Sequence, residues 1–260
     1  VSTPASELVL FERVGRTAVV RLNRPARHNS LVPELLEGLL AALDKAEADA
    51  QVHAVVLTHA GRHFSTGGDV EALASQGDAL PAYADRLLDL LNQTILRLSA
   101  LRCPVIAAVE GWLTGGSLGL MLACDMAVLS RDVRIAPYYT VVGFSPDGGW
   151  TAMLPQLVGM ARARAWQLNN TTLTADEAGA LGLAARVVES GHAERTALAL
   201  AAGLQDKAPG SVAHTRALLR WDQQALAAGL ERERLAFVAQ VQTPEAAAGM
   251  RRFLDKGKRP

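Results

Sequence analysis

The first half of the chain alternates strand and helix signals, and that alternation constrains the fold more than anything else in it. Thr17 to Leu22 is a β-branched run that stops at Asn23-Arg24-Pro25, where a proline ends a strand. Pro33 to Asp49 reads as a helix. Leu36, Leu39, Leu40 and Leu43 recur at helical spacing, and Glu34, Glu37, Asp44 and Lys45 fall outside that stripe. His53 to Thr58 reads as a strand, followed by a long turn from Ala60 to Asp69 carrying Gly61, Gly67 and Gly68. Pro81 to Ser99 is a second amphipathic helix. Pro104 to Val109 is a short apolar strand broken at Gly111, Gly115-Gly116-Ser117 opens an apolar helix to Cys124, and Met126 to Leu129 returns as a strand. Such a pattern belongs to the α/β class.

The second half reads as mostly helical. Thr174-Ala-Asp-Glu177 has the form of a capping box, with Thr174 as the cap. Ala193 to Gln205, Ser211 to Ala227 and Leu230 to Gln240 are rich in good helix formers. No linker of biased composition separates the halves. The expectation is one domain: an α/β core over residues 1–190 and a helical C-terminal region over 191–260, suited to a second lobe or an oligomer interface.

Composition supports a packed globular protein, since half of the 260 residues are hydrophobic and 20% are charged. Lys and Arg total 26 against 26 for Asp and Glu, so the formal charge is zero. That balance disfavours a protein built to neutralise nucleic-acid phosphates. Two cysteines, Cys103 and Cys124, sit in apolar segments as packing residues, cannot form a disulfide framework and suit a cytoplasmic setting. No run approaches the ~20 apolar residues of a membrane span. Val1 to Glu7 lacks the basic and apolar regions of a signal peptide.

Two glycine-rich turns stand out: Phe64-Ser65-Thr66-Gly67-Gly68-Asp69, and Gly111 to Gly119 around Gly115-Gly116. Glycine there permits positive φ and close approach of a ligand to the backbone. The second turn also leaves unpaired N–H groups at a helix start, where the dipole favours a negative oxygen. Neither has dinucleotide-binding spacing, and no Walker-type Gly-Lys-Ser/Thr occurs. His59 and His63 are four apart but flank Gly61 in a turn, so no metal site is expected.

Taken in order, these segments resemble the enoyl-CoA hydratase/isomerase (crotonase) family. Leu22-Asn23-Arg24-Pro25, His28-Asn29, Phe64 to Asp69, Pro104 to Val109, Gly115-Gly116, Cys124-Asp125, Gly143 to Gly149, Leu173 to Ala178 and Phe253 to Lys256 carry the resemblance. It implies a crotonase-like spiral of ββα units with a helical trimerisation region, a homotrimer or hexamer, and a coenzyme A thioester as substrate, with no separate cofactor. It also implies that the backbone N–H groups of Thr66 and Gly116 grip the thioester oxygen. Arg24, Arg27, His28, Gly68, Asp69, Trp112, Gly115 and Tyr139 are the matching substrate- and CoA-binding positions. Lys256, Lys258 and Arg259 could pair with phosphates of a neighbouring subunit's ligand, or form no more than a frayed basic tail. The chemistry is sound by itself, because enolate formation beside a thioester builds charge on that oxygen. Losing one such donor costs about 2.7–4 kcal/mol in a protease oxyanion hole.

Hydratases of that family use two glutamates, and their matching positions here are Gly119 and Tyr139. Without paired carboxylates, hydration is disfavoured. Asp147, in Ser145-Pro146-Asp147-Gly148-Gly149, remains. Its local sequence reads as a turn aspartate, since Pro-Asp-Gly is common turn chemistry. The resemblance makes it a single acid that moves double bonds, and Val142 to Gly149 looks like the ring-epoxide isomerase of phenylacetate degradation. In an apolar pocket, for which Trp112, Tyr138, Phe144 and Trp150 are candidates, its pKa would rise toward the working pH. Two alternatives stay open. One is an aromatic acyl-CoA dehalogenase with Asp147 as nucleophile, although Pro81 to Ser99 holds no histidine to activate water. The other is a catalytically reduced acyl-CoA- or RNA-binding relative. Against RNA stands the mixed charge of its helices, for example Glu231-Arg-Glu-Arg234.

Overall fold

The computed structural model describes residues 8–257, with the backbone alone for 256 and 257. Val1 to Glu7 and the side chains of Lys256, Lys258 and Arg259 lie outside the described residues. Strands β1 (Val9–Val14) and β2 (Thr17–Leu22) form an antiparallel hairpin across Gly15, whose φ is +60°. Helix α1 (Pro33–Ala48) then crosses to β3 (Ala54–His59), which lies parallel to β2. After the short α2 (Val70–Ala74), the long α3 (Leu80–Ala100) leads to β4 (Val105–Val109), parallel to β3. Strand β5 (Trp112–Thr114) starts a smaller sheet, and α4 (Leu118–Leu122) returns the chain to β6 (Met126–Ser130) beside β4. The smaller sheet is completed by β7 (Arg134–Ala136) and, after α5 (Tyr139–Val142), α6 (Leu154–Val158) and α7 (Met160–Asn169), by β8 (Leu173–Thr174). Helix α8 (Ala175–Ala180) and β9 (Arg186–Val188) close the larger sheet, whose order is β1-β2-β3-β4-β6-β9.

The apolar runs read as strands are β3 and β4, and every residue of both is buried. Their two faces go to different partners, as the two-residue period of a strand requires. Val55, Leu57, Val105 and Ala107 face the main core with α1 and α3. Val56, Ile106 and Ala108 face Ala193, Ala197 and Ala201 of α9 (Ala193–Gln205). The alanine spacing of α9 lets it lie close on the sheet.

Three further helices follow: α10 (Pro209–Leu219), α11 (Gln223–Val241) and α12 (Pro244–Gly257). The helix expected over Ser211 to Ala227 is interrupted. Arg220 is extended, and Asp222 accepts the Ala225 N–H at 2.9 Å to start α11 afresh. No break occurs at Gly229, where a Cβ would come within 2.8 Å of the Ala152 Cβ. That glycine marks a close approach within one helix. Arg216 anchors α10. It donates to the carbonyls of Leu98 (3.1 Å), Ser99 (3.2 Å) and Leu101 at the end of α3, and to Asp125 at 2.8 Å. A cation at those last carbonyls complements the helix dipole.

Candidate active site

The two glycine-rich turns are laced together. Ser65 forms a parallel bridge to Leu113, its N–H donating to the Trp112 carbonyl (3.2 Å) and its carbonyl accepting from the Thr114 N–H (3.1 Å). Ser117 Oγ reaches the Ser65 and Thr114 carbonyls at 3.2 and 2.7 Å. A Cβ on Gly67 would lie 2.7 Å from the Thr114 carbonyl oxygen, so only glycine allows this contact at φ +76°. Gly115–Ser117 form a 3₁₀ turn leading into α4, which places the Gly116 N–H among first-turn donors without an intrahelical acceptor. The Thr66 N–H donates to the His28 carbonyl at 3.2 Å. His28 and Asn29 both adopt left-handed backbone, at φ 53° and 52°. The buried Asn29 side chain holds the strained pair, accepting from the Arg24 N–H and donating to the Ala60 and His63 carbonyls.

Asp147 sits on a turn pressed against the Gly115–Ser117 turn. A Cβ on Gly116 would lie 2.3 Å from Asp147 Oδ1, and one on Gly148 would lie 2.3 Å from the Gly116 carbonyl oxygen. Both positions need glycine for this stacking. The Asp147 side chain is buried, at 7% exposure, and the Tyr139 hydroxyl donates to its Oδ1 at 2.8 Å. Burial pushes its carboxyl up to about 7, against the pull of the Tyr139 hydrogen bond and with a further push from the charge of Glu233. Burial and the neighbouring Asp147 also hold the Tyr139 phenol well above its ordinary value.

Thr66, Gly68, Gly115, Gly116, Tyr139 and Asp147 all line one cavity of about 340 Å³. Trp112, Tyr138 and Phe144 line it too, with Phe237 of α11 and Phe253 of α12. Tyr138 stands edge-on to both Trp112 and Phe253, with ring centroids 6.3 Å apart in each pair. Trp150, expected as a wall, lies beneath instead. It is 1% exposed, and its indole N–H donates to the Gly115 carbonyl at 2.7 Å, bracing the turn from behind. A larger hollow of about 770 Å³ under α10 contains neither glycine-rich turn.

Arg24, Arg27, His28 and Asp69 are not part of the cavity wall. Asp69 is turned inward at 4% exposure and caps α2 through the Ala72 N–H. It also holds Arg24 at 2.7 Å and Arg27 at 3.1 Å. Burial alone would raise its carboxyl, but bonds from Arg24, Ala72 and Arg27 outweigh that and hold it below the ordinary range. His28 is exposed, 5.2 Å from the His63 ring. His59 and His63 each accept a backbone N–H, from Glu110 and Trp112. Cys103 is buried, as expected, and Cys124 is only partly so.

The hydratase positions are instructive. A Cβ on Gly119 would meet the Gly148 carbonyl oxygen at 2.2 Å and Ile95 Cδ1 at 2.6 Å, so no side chain fits there. Asp147 is the one carboxylate among the described residues that line the cavity.

Sequence reasoning missed Glu233, which is 4% exposed behind the Asp147 turn, and the aromatic pair Phe237 and Phe253. Its signal was present. Leu226, Leu230, Phe237 and Val241 form the buried stripe of α11, and residue 233 falls on it.

This fold and this cavity define an acyl-CoA-processing enzyme of the crotonase type. The chain belongs to the enoyl-CoA hydratase/isomerase family, whose model matches residues 12–260. It is 36% identical to the 4-chlorobenzoyl coenzyme A dehalogenase-2 of an Arthrobacter species over 188 residues, covering 72% of this chain and 68% of the relative. It is 32% identical to the 2,3-dehydroadipyl-CoA hydratase of Escherichia coli K12 over 252 residues, 96% of each. Among solved structures, an enoyl-CoA hydratase/isomerase from Xanthobacter autotrophicus Py2 superposes with a TM-score of 0.83 at 30% identity. That match covers 97% of this chain and 98% of the other.

Proposed function

We propose that the protein is an isomerase that shifts the double bond of an enoyl-CoA thioester, with Asp147 as its single proton carrier. The observation that carries this reading is the one carboxylate among the described residues that line the cavity, poised near neutrality beside the Gly116 donor, with the Gly119 position closed to any second acid. Asp147 takes a proton from C2 of a 3-enoyl thioester. The electron pair moves through the C3–C4 double bond and the carbonyl to give a dienolate. Its oxygen is held by the Gly116 N–H; the Thr66 N–H, expected as the second donor, is instead taken by the His28 carbonyl at 3.2 Å. Protonated Asp147 then returns the proton to C4, leaving a 2-enoyl thioester and a free carboxylate. Tyr139 occupies Oδ1, which leaves Oδ2 to carry the proton. The aromatic wall suits a planar or ring-bearing acyl group, in keeping with the likeness to ring-epoxide isomerases. Exposed Leu168, Leu218 and Leu219 support assembly as a homotrimer or hexamer.

The test is exchange of the C2 protons of a 3-enoyl-CoA into deuterated water, followed by NMR. Asp147→Asn is expected to slow exchange by about 10²–10⁴-fold, the contribution of a positioned acid–base group. Exchange at the native rate would remove Asp147 from the chemistry. The likeness to a dehalogenase favours one second reading, attack by Asp147 on a halogenated ring. A carboxyl half-protonated near pH 7 is a better proton carrier than nucleophile, and α3 brings no histidine to the cavity. Halide release from a halobenzoyl-CoA would establish that alternative.

A further inference from the structure

Glu233 is a buried carboxylate that the proton shift does not use. It projects from α11 onto the turn just after Asp147. Its Oε2 accepts the Gly149 N–H at 2.7 Å. Its Oε1 accepts the Thr151 N–H (2.7 Å), the Thr151 hydroxyl (2.6 Å) and the Ala152 N–H (2.9 Å). Among the described residues no Arg or Lys pairs with it. The neighbouring Arg234 is taken by Asp85 and Glu231. Four dipoles therefore hold a full negative charge in the interior. Charge-assisted bonds of this length are the strong ones, and a helix that carries one fixes whatever it grips.

We infer that Glu233 is a positioning residue: it clamps the turn that carries Asp147 and sets a like charge behind the Asp147 carboxyl. The inference rests on the reading of Asp147 as proton carrier. Two consequences follow from the geometry. First, Glu233 fixes the stretch from Gly149 to Ala152 from the α11 side, while the Tyr139 hydroxyl holds Asp147 from the other side, at 3.1 Å from its carbonyl and 2.8 Å from its Oδ1. Gly148 and Gly149 are both at positive φ, +60° and +87°, and glycines stiffen nothing. Displacing a reacting group by about 1 Å can cost on the order of 10²-fold in rate. Second, the charge of Glu233 opposes ionisation of Asp147. The other ionisable group facing that carboxyl is Tyr139 from α5, which favours ionisation through its hydrogen bond. The Gly115–Ser117 turn packed against it carries no charge. Glu233 and Tyr139 thus bias the carrier in opposite directions.

The experiment compares Glu233→Gln, Glu233→Asp and Asp147→Asn for C2-proton exchange of a 3-enoyl-CoA from pH 5 to 9. Glu233→Gln is expected to lower the plateau rate about tenfold or more, in line with a misplaced turn. Its KM for the thioester stays near native, and the acid limb of its profile moves to lower pH. Glu233→Asp keeps the charge on a shorter arm, so its limb returns toward the native position while its rate stays low. A folded Glu233→Gln protein with native rate and native limb overturns the inference. Should Glu233→Gln not fold, a native rate in Glu233→Asp overturns it equally, and a reduced rate at native KM supports it. If Asp147→Asn exchanges at the native rate, there is no carrier to position and both readings fall. If Asp147→Asn is inactive and Glu233→Gln is native in every respect, the role of Glu233 alone is refuted.

Discussion

Replacing Asp147 by Asn should stabilise the protein at neutral pH, and by an amount that depends on pH in a defined way. The folded chain holds the Asp147 proton up to about pH 7, whereas an unfolded aspartate releases it near 3.8. Between those values the native state binds more protons than the unfolded state, so stability falls as pH rises across that window. The stabilisation is fully present below the unfolded value and fully lost above the folded one. The two values lie about three pH units apart, so at 1.36 kcal/mol per pH unit the penalty reaches about 4 kcal/mol well above pH 7, more than half of it accruing between pH 5 and 8. Asparagine can still accept the Tyr139 hydroxyl through its amide oxygen but has no proton to lose. The difference in stability between variant and native protein should therefore widen from pH 5 to pH 8 and then level off. Other titrating groups are common to both proteins and cancel. Urea unfolding at fixed protein concentration, repeated at several pH values, measures it. A difference that is flat with pH would refute the placement of Asp147 in an apolar cavity.

Tyr139→Phe removes the hydroxyl that draws the Asp147 carboxyl down, so the acid limb of the exchange profile should move to higher pH, opposite to the effect expected for Glu233→Gln. A limb that stays put or moves down would contradict the hydrogen bond as described. Gly119→Ala should cost about 1–3 kcal/mol in urea unfolding, because overpacking forces backbone to move. It should also slow exchange, since the group displaced is the Gly148 carbonyl beside Asp147. A neutral substitution would show that the turn is not packed against α4.

What could be seen in the sequence was whatever is decided locally. The capping box at Thr174 and Glu177 is a matter of four consecutive residues, and the structure contains both of its hydrogen bonds. The apolar runs of β3 and β4 and the leucine stripe of α1 declared themselves by period. The two glycine-rich turns were visible as turns, but the bonds from Ser65 and Ser117 that join them depend on residues about 50 apart. Glu233 was hidden for a different reason. A glutamate between two arginines looks like a solvated helix face; its place on the apolar stripe of α11 argued for burial, but what it grips depends on the packing of α11 over the Asp147 turn. The restart of the helix at Asp222 was similarly obscured, because helix-prone residues lie on both sides of it. Asp69 shows the reverse case. Its sequence context pointed to ligand contact, and the structure uses its charge to tie Arg24 and Arg27 to the start of α2.

Helix α11 supplies the clamp on the aspartate turn, and with α12 it supplies two of the cavity's aromatic walls. These pieces come from positions 233, 237 and 253, while Asp147 and the Gly116 amide proposed to hold the thioester oxygen lie before position 150. In the order of synthesis, the residues proposed to react are therefore made before the two helices that complete their cavity. On the proposed reading, the cavity is complete only when α11 and α12 lie against the turns made by the first half of the chain.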